Sequence, residues 1–126
     1  MPTNVATIRN PVADAGKNEI EAALRQLIAT YGPFTYDLPL PHGVWTRDNQ
    51  GPPHMRLKRI VRLAADLSLK PLAECRVLDL GCLEGLFAIE FGLHGAEVLG
   101  IEIREANIRK AEFTRDLLGR ERVTFQ

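Results

Sequence analysis

The feature that most constrains this chain is the alternation in residues 76–126. Short apolar runs of strand length are separated by glycine-bearing turns and by segments of helix length. Arg76-Val77-Leu78-Asp79-Leu80 reads as a short, apolar, buried strand, and Gly81-Cys82-Leu83-Glu84-Gly85 as a tight turn. Leu86 to Leu93 reads as a helix closed by His94-Gly95. Glu97 to Ile103 reads as a second strand, and Arg104 to Leu118 as a further helix. Gly119 stands where a left-handed closing residue is wanted. Glu121 to Phe125 begins a third strand. A βαβαβ order with short connections implies a parallel sheet with right-handed crossovers.

Upstream, two helices and a loop are expected. Ile20, Ala23, Leu24, Leu27, Ile28 and Tyr31 recur at helical spacing and predict a packing helix from about Glu19 to Tyr31. Asn18 is placed to cap it, with Glu21 three residues on, and Gly32-Pro33 to stop it. Residues 33–53 hold five of the eight prolines yet also Phe34, Tyr36 and Trp45. Proline fixes φ and removes a donor, so an ordered loop or short hairpin that covers something is predicted. A second helix is predicted from about His54 to Leu69, ended by Pro71, with Leu57, Ile60, Val61, Ala64 and Leu67 as its stripe. Arg56, Lys58, Arg59 and Arg62 fall largely outside that stripe, as a solvated face or a meeting place for phosphate. The fold class is therefore α/β: a Rossmann-like, partial doubly wound parallel sheet preceded by two helices and a proline- and aromatic-rich loop. Residues 1–53 form an N-terminal helix and covering loop, and 54–126 the first part of the Rossmann-like domain.

Composition narrows the function classes. The chain has 126 residues, 45% hydrophobic and 25% charged, with sixteen basic and sixteen acidic side chains and a pI near 6.8. One compact domain fits that length, and no global charge draws it to nucleic acid or anionic membrane. No apolar run approaches the ~18 residues that span a bilayer, and the first residues lack the pattern of a secretory signal. Cys75 and Cys82 are too few for a disulfide framework and lack metal-ligand spacing, so no metal is expected and a reducing, cytoplasmic setting is the default.

The candidate site follows from the sheet. Ligands of open parallel sheets bind beyond the carboxyl ends of the strands, near where strand order reverses. Both the glycine turn and Glu102 should lie there. Gly81 and Gly85 permit φ > 0 and close approach of a ligand, and the next helix offers free N–H groups. A carboxylate at the end of the second strand can accept both hydroxyls of a ribose. Cys82 beside a helix start reads as an inert, backbone-near residue, since no base partner is identifiable nearby. His94 reads as a helix-end residue, whereas His42 in the covering loop could approach a substrate. Asp79 and Glu102 could alternatively serve only as caps, and the glycines only chain reversal.

VLDLGCLEG at 77–85 and GAEVLGIEIRE at 95–105 resemble the cofactor-binding half of class I methyltransferases, which use S-adenosylmethionine. The resemblance implies that Asp79 organises the glycine loop and the methionine end of the cofactor. Gly81, Cys82, Leu83 and Gly85 would lie along the cofactor, Glu102 would hold the ribose, and Ile103 would pack on the adenine. Leu83 departs from the family, which often has a glycine there. LPHGVWT resembles, loosely, a segment preceding this fold in relatives of transfer-RNA wobble-uridine methyltransferases. A dinucleotide-binding Rossmann fragment is the rival. It wants G-x-G-x-x-G, whereas this chain has G-x-x-x-G. The implied activity is methyl transfer to an unidentified acceptor, a small molecule or RNA. The alternative is a non-catalytic nucleoside-binding or partner-binding half-domain. No catalytic residue is assigned. In the family, acceptor-handling groups lie on later strands, so the chain is expected to be truncated, or completed by another chain or by self-association.

Overall fold

The computed structural model describes residues 9–48 and 54–126. The reading of the first eight residues, the Asn49–Pro53 end of the loop, and the domain boundary at 53 lie outside or against the limits of that range. Helix α1 spans Lys17–Tyr31, α2 Met55–Leu67, β1 Arg76–Leu80, α3 Leu86–Leu93, β2 Glu97–Ile101, α4 Glu105–Leu117 and β3 Val123–Phe125. Short 3-10 turns occupy Pro41–Gly43 and Leu72–Glu74. No described helix is long and apolar enough to cross a membrane.

The sheet is parallel throughout, in the order β1-β2-β3. Register aligns Val77 with Val98 and Val123, and Asp79 with Gly100 and Phe125. Side chains at these positions share one face. Strand order advances in one direction, so right-handed crossovers put α3 and α4 together on that face. Val98 and Val123 are buried there, as are Ala88, Ile89, Ala111, Phe113 and Leu117 from the two helices. No reversal of strand order falls between these strands, contrary to the expected switch point beside the turn. The position of the turn at the carboxyl tips is unchanged.

The opposite face is open. Leu78 and Leu80 project onto it, 59% and 72% exposed. Among the described residues β1 is an edge strand with one bare side, not the buried strand its apolar run predicts. Periodicity reads which residues are apolar but not which layer covers them.

The N-terminal segment packs onto the helix layer. Ile20, Leu24 and Leu27 bury the inner stripe of α1, which lies against α4. Its start differs from expectation. The cap is Gly16, without a side-chain bond, and Asn18 lies inside the first turn. Gly32 closes the helix as expected, at φ 83° with its N–H on the Ile28 carbonyl. In α2 only Leu57 and Val61 of the anticipated stripe are fully buried. Ile60 and Leu67 are exposed, as are all four basic residues. The helix stops at Leu67, ahead of Pro71, with Ser68 as its cap.

The proline-rich segment is a short hairpin. Pro39 and Trp45 form an antiparallel bridge, and Leu40 N–H donates to the Val44 carbonyl at 2.8 Å. Thr46 fastens it, its hydroxyl on the Tyr36 carbonyl and the Leu38 N–H on that hydroxyl, both 2.8 Å. Phe34, Leu38, Leu40 and Val44 enter the core. Proline excludes regular strands here, while the apolar residues between the prolines still bury.

Candidate functional site

At the carboxyl tips of β1 and β2 the chain turns over residues 81–85. The N–H groups of Gly81 and Cys82 donate to the Ile101 carbonyl at 2.8 and 3.0 Å, tying the turn to the end of β2. Gly81, Leu83 and Gly85 all have positive φ, 69°, 50° and 80°. Leu83 thus holds the left-handed conformation that glycine adopts freely and that costs other residues about 1–2 kcal/mol. The departure noted in the sequence is a strained position in the fold.

The two glycines do different work. A Cβ on Gly81 would meet nothing within 4 Å, so this backbone faces open space. A Cβ on Gly85 would sit 2.9 Å from the Phe125 ring. Gly85 is required for packing against β3 rather than for access by a ligand.

The two carboxylates hold successive parts of the turn and the helix after it. Asp79 Oδ2 accepts the Ala88 N–H at 3.1 Å, capping the first turn of α3 from the neighbouring strand. Burial pushes its pKa up, and the Ala88 hydrogen bond opposes that. Glu102 Oε2 accepts the Leu83 N–H at 3.1 Å and the Asn107 amide at 3.3 Å. Its Oε1 accepts the Arg104 N–H at 2.9 Å, and the Arg104 guanidinium lies 3.6 Å away. The Arg104 N–H bond holds the Glu102 pKa below the usual range, against desolvation. Its side chain is only 3% exposed. A carboxylate has about four lone-pair positions, so three accepted bonds leave one for a ligand unless Asn107 or the exposed Arg104 yields.

Cys82 lies between the acids and is buried. Burial, then the negative charges of Asp79 and Glu102, raise its thiol to about 11. A thiol that stays protonated at neutral pH is a poor nucleophile, in accord with the inert reading. Ile103 projects into solvent, 96% exposed, just beyond Glu102. The turn, Asp79, Cys82 and Glu102 form one neighbourhood, with Ile103 at its rim. His42 instead hydrogen-bonds the Ala15 carbonyl at 3.2 Å, and His94 pairs with Glu90 at 3.5 Å across the last turn of α3.

Two residues the motif reading passed over complete the neighbourhood. Glu84, inside the glycine turn, is 1% exposed. It accepts the N–H groups of Thr35 at 2.8 Å and Tyr36 at 3.2 Å. Lys110 of α4 reaches it at 3.4 Å and donates to the Pro33 carbonyl at 2.7 Å. The loop at 33–36 is thereby pinned to the back of the glycine turn. One signal existed in the sequence: Lys110 shares a helical stripe with Phe113, Thr114 and Leu117, an apolar face where a lysine needs a partner.

No family model matches the chain, and no curated protein matches it by sequence. Solved structures do. The N-terminal domain of EvdMO1 with SAH bound (S-adenosylhomocysteine) is 24% identical with a TM-score of 0.67, over 89% of this chain and 45% of that one. The same domain in the presence of SAH and D-fucose gives 23% and 0.64, over 89% and 46%. The bifunctional kinase-methyltransferase WbdD gives 26% and 0.61, over 82% and 23%. The fold is like that of the class I S-adenosylmethionine-dependent methyltransferases. The chain spans less than half the length of each of these proteins.

Proposed function

We propose that the chain binds S-adenosylmethionine across the 79–85 turn and Glu102, as the cofactor half of a methyltransferase. The observation that carries this reading is that Glu102 holds the glycine turn at Leu83 and Asp79, from the adjacent strand, holds the start of the helix that follows it, beside a Gly81 backbone that is open. Solved neighbours of this fold that hold SAH support it. The residues present fit an adenosyl group. Gly81 leaves room beside the chain, Glu102 would accept a ribose hydroxyl where the Asn107 amide or the exposed Arg104 side chain gives way, and exposed Ile103 offers an apolar surface to a flat ring.

When bound, the cofactor supplies an electrophilic methyl carbon. The chain's part is to hold and orient. Glu102 fixes the turn and Asp79 the start of α3, Glu84 and Lys110 brace the turn from behind, and the protonated Cys82 does not compete for the methyl group. The acceptor is a small molecule or an RNA. The exposed basic face of α2 supports one that carries phosphate.

A second reading, a nucleoside-binding half-domain completed by another polypeptide, is favoured by the exposure of Leu78 and Leu80 on the uncovered sheet face. It shares the cofactor affinity and differs in having no turnover by this chain alone.

Calorimetric titration with SAH tests the shared core. Binding by folded protein, weakened about tenfold or more in Glu102→Gln, is expected, since a hydrogen bond to a charged acceptor is worth about 1.5–3 kcal/mol. A folded sample that ignores SAH sinks the reading, and tighter binding of NAD favours the dinucleotide rival.

A further inference from the structure

Ten large apolar side chains are exposed among the described residues, and five of them fall between positions 55 and 69: Met55, Ile60, Leu63, Leu67 and Leu69. The stretch 55–70 also holds five basic residues, Arg56, Lys58, Arg59, Arg62 and Lys70, against one acid, Asp66. All six charged residues are exposed. The chain as a whole carries no net charge, so this excess belongs to α2 and its end.

Helical spacing sorts α2 into rows, since residues three and four apart lie on one line. Leu57, Val61 and Ala64 form the row that packs inward, the first two fully buried. The next row is Arg56, Ile60, Leu63 and Leu67, its three apolar residues 42%, 57% and 73% exposed. The row beyond contains Arg59, Arg62 and Asp66. Arg62 pairs with Asp66 at 3.8 Å, whereas Arg56, Lys58, Arg59 and Lys70 form no salt bridge among the described residues. An exposed apolar ridge thus runs along the helix, with an unpaired guanidinium at its head and another on its flank.

This arrangement restricts what can cover the ridge. A polynucleotide would neutralise the basic groups and leave the leucines wet. A second copy of the same ridge would set arginine against arginine. A bilayer rich in anionic lipid satisfies both features at once. Apolar side chains enter the boundary between headgroups and acyl chains, and long basic side chains reach the phosphates beside them. From this we infer that α2 is a docking face for the surface of an anionic phospholipid bilayer, entered by Ile60, Leu63 and Leu67 and held by Arg56 and Arg59. Leu57 and Val61 keep the helix on the protein, so it lies on the membrane without spanning it. The inference is independent of methyl transfer, because no residue of the glycine turn takes part.

Sedimentation with vesicles of equal parts phosphatidylcholine and phosphatidylserine, and with vesicles of phosphatidylcholine alone, tests it. The mixed vesicles should bind the chain at least about tenfold more tightly, since each basic side chain near an anionic surface adds to the attraction. Leu63→Gln with Leu67→Gln should weaken binding to mixed vesicles about tenfold or more, and so should Arg56→Gln with Arg59→Gln. Leu78→Gln with Leu80→Gln changes comparably exposed leucines on the open sheet face and should leave binding as it is. The inference is overturned if mixed vesicles do not bind the chain, or if the sheet pair matters as much as the leucine pair on α2. Loss of binding with the arginine pair alone marks a general polyanion surface, such as RNA would use, and also overturns it. So does a dimer that the leucine pair on α2 dissolves, because a second copy then covers the ridge. Should that leucine pair fail to fold by circular dichroism, Leu67→Ala takes its place. It should weaken binding severalfold, and unchanged binding overturns the inference.

Discussion

Glu84 and Lys110 form a buried ion pair, Nζ to Oε1 3.4 Å, with side chains 1% and 6% exposed. The pair joins three parts distant in sequence: the loop at 33–36, the glycine turn and α4. Desolvating two charges is expensive, and the surrounding bonds to Thr35, Tyr36 and Pro33 are what make the arrangement tolerable. Removing one partner leaves the other uncompensated. Glu84→Ala should lower unfolding stability by about 3–5 kcal/mol in urea, whereas Glu84→Met with Lys110→Met should cost less than the single change. If the single and double variants melt alike, the pair is not coupled.

Leu83 and Gly81 make opposite predictions from similar backbone angles, φ 50° and 69°. Leu83→Gly relieves the left-handed strain, offset by the greater freedom of glycine when unfolded, and should stabilise by roughly 0.5–1 kcal/mol. Gly81→Ala introduces that strain and should destabilise by about 1 kcal/mol with no steric clash. Gly85→Ala adds contact with Phe125 and should cost more than Gly81→Ala. Chemical denaturation of the three variants ranks them.

The acids at the strand tips respond to pH in opposite senses. Glu102 has a lowered pKa, so its contribution to stability is present above its ordinary 4.5 and is lost as pH falls through the folded value. Asp79 has a raised pKa. Its contribution is present below 3.8 and is lost as pH rises through the folded value. Asp79→Asn retains a carbonyl to accept the Ala88 N–H and removes the buried charge. It should leave neutral-pH stability unchanged or slightly higher, while Glu102→Gln lowers it. Urea midpoints between pH 3 and 7 give the comparison.

Cys82 should resist alkylation near neutrality. In a Cys75→Ser background, iodoacetamide modification at pH 8 should be far slower than for a free thiol and should accelerate only toward pH 11. Because the unfolded thiol ionises near 9.0 and the folded one near 11, stability should fall as pH rises through that window. Rapid modification of folded protein at pH 7 contradicts this.

What the sequence determined by itself is local. The alternation in 76–126 placed β1 and α3 at their observed ends and located the glycine turn. Asp79 and Glu102 stand at the strand tips because short-range periodicity and turn chemistry are written in neighbouring residues. Even there α1 begins two residues ahead of expectation, at Lys17 after an uncapped Gly16, so that Asn18, with a side chain suited to capping, falls inside the first turn. What only the tertiary structure decided depends on layers and long-range partners. Whether β1 is covered, which glycine faces space and which faces Phe125, and that Glu84 needs Lys110 all follow from chain segments meeting across the fold. The physical reason is that burial and the pairing of buried charge belong to the assembled packing, and one stretch of chain cannot specify what will lie against it.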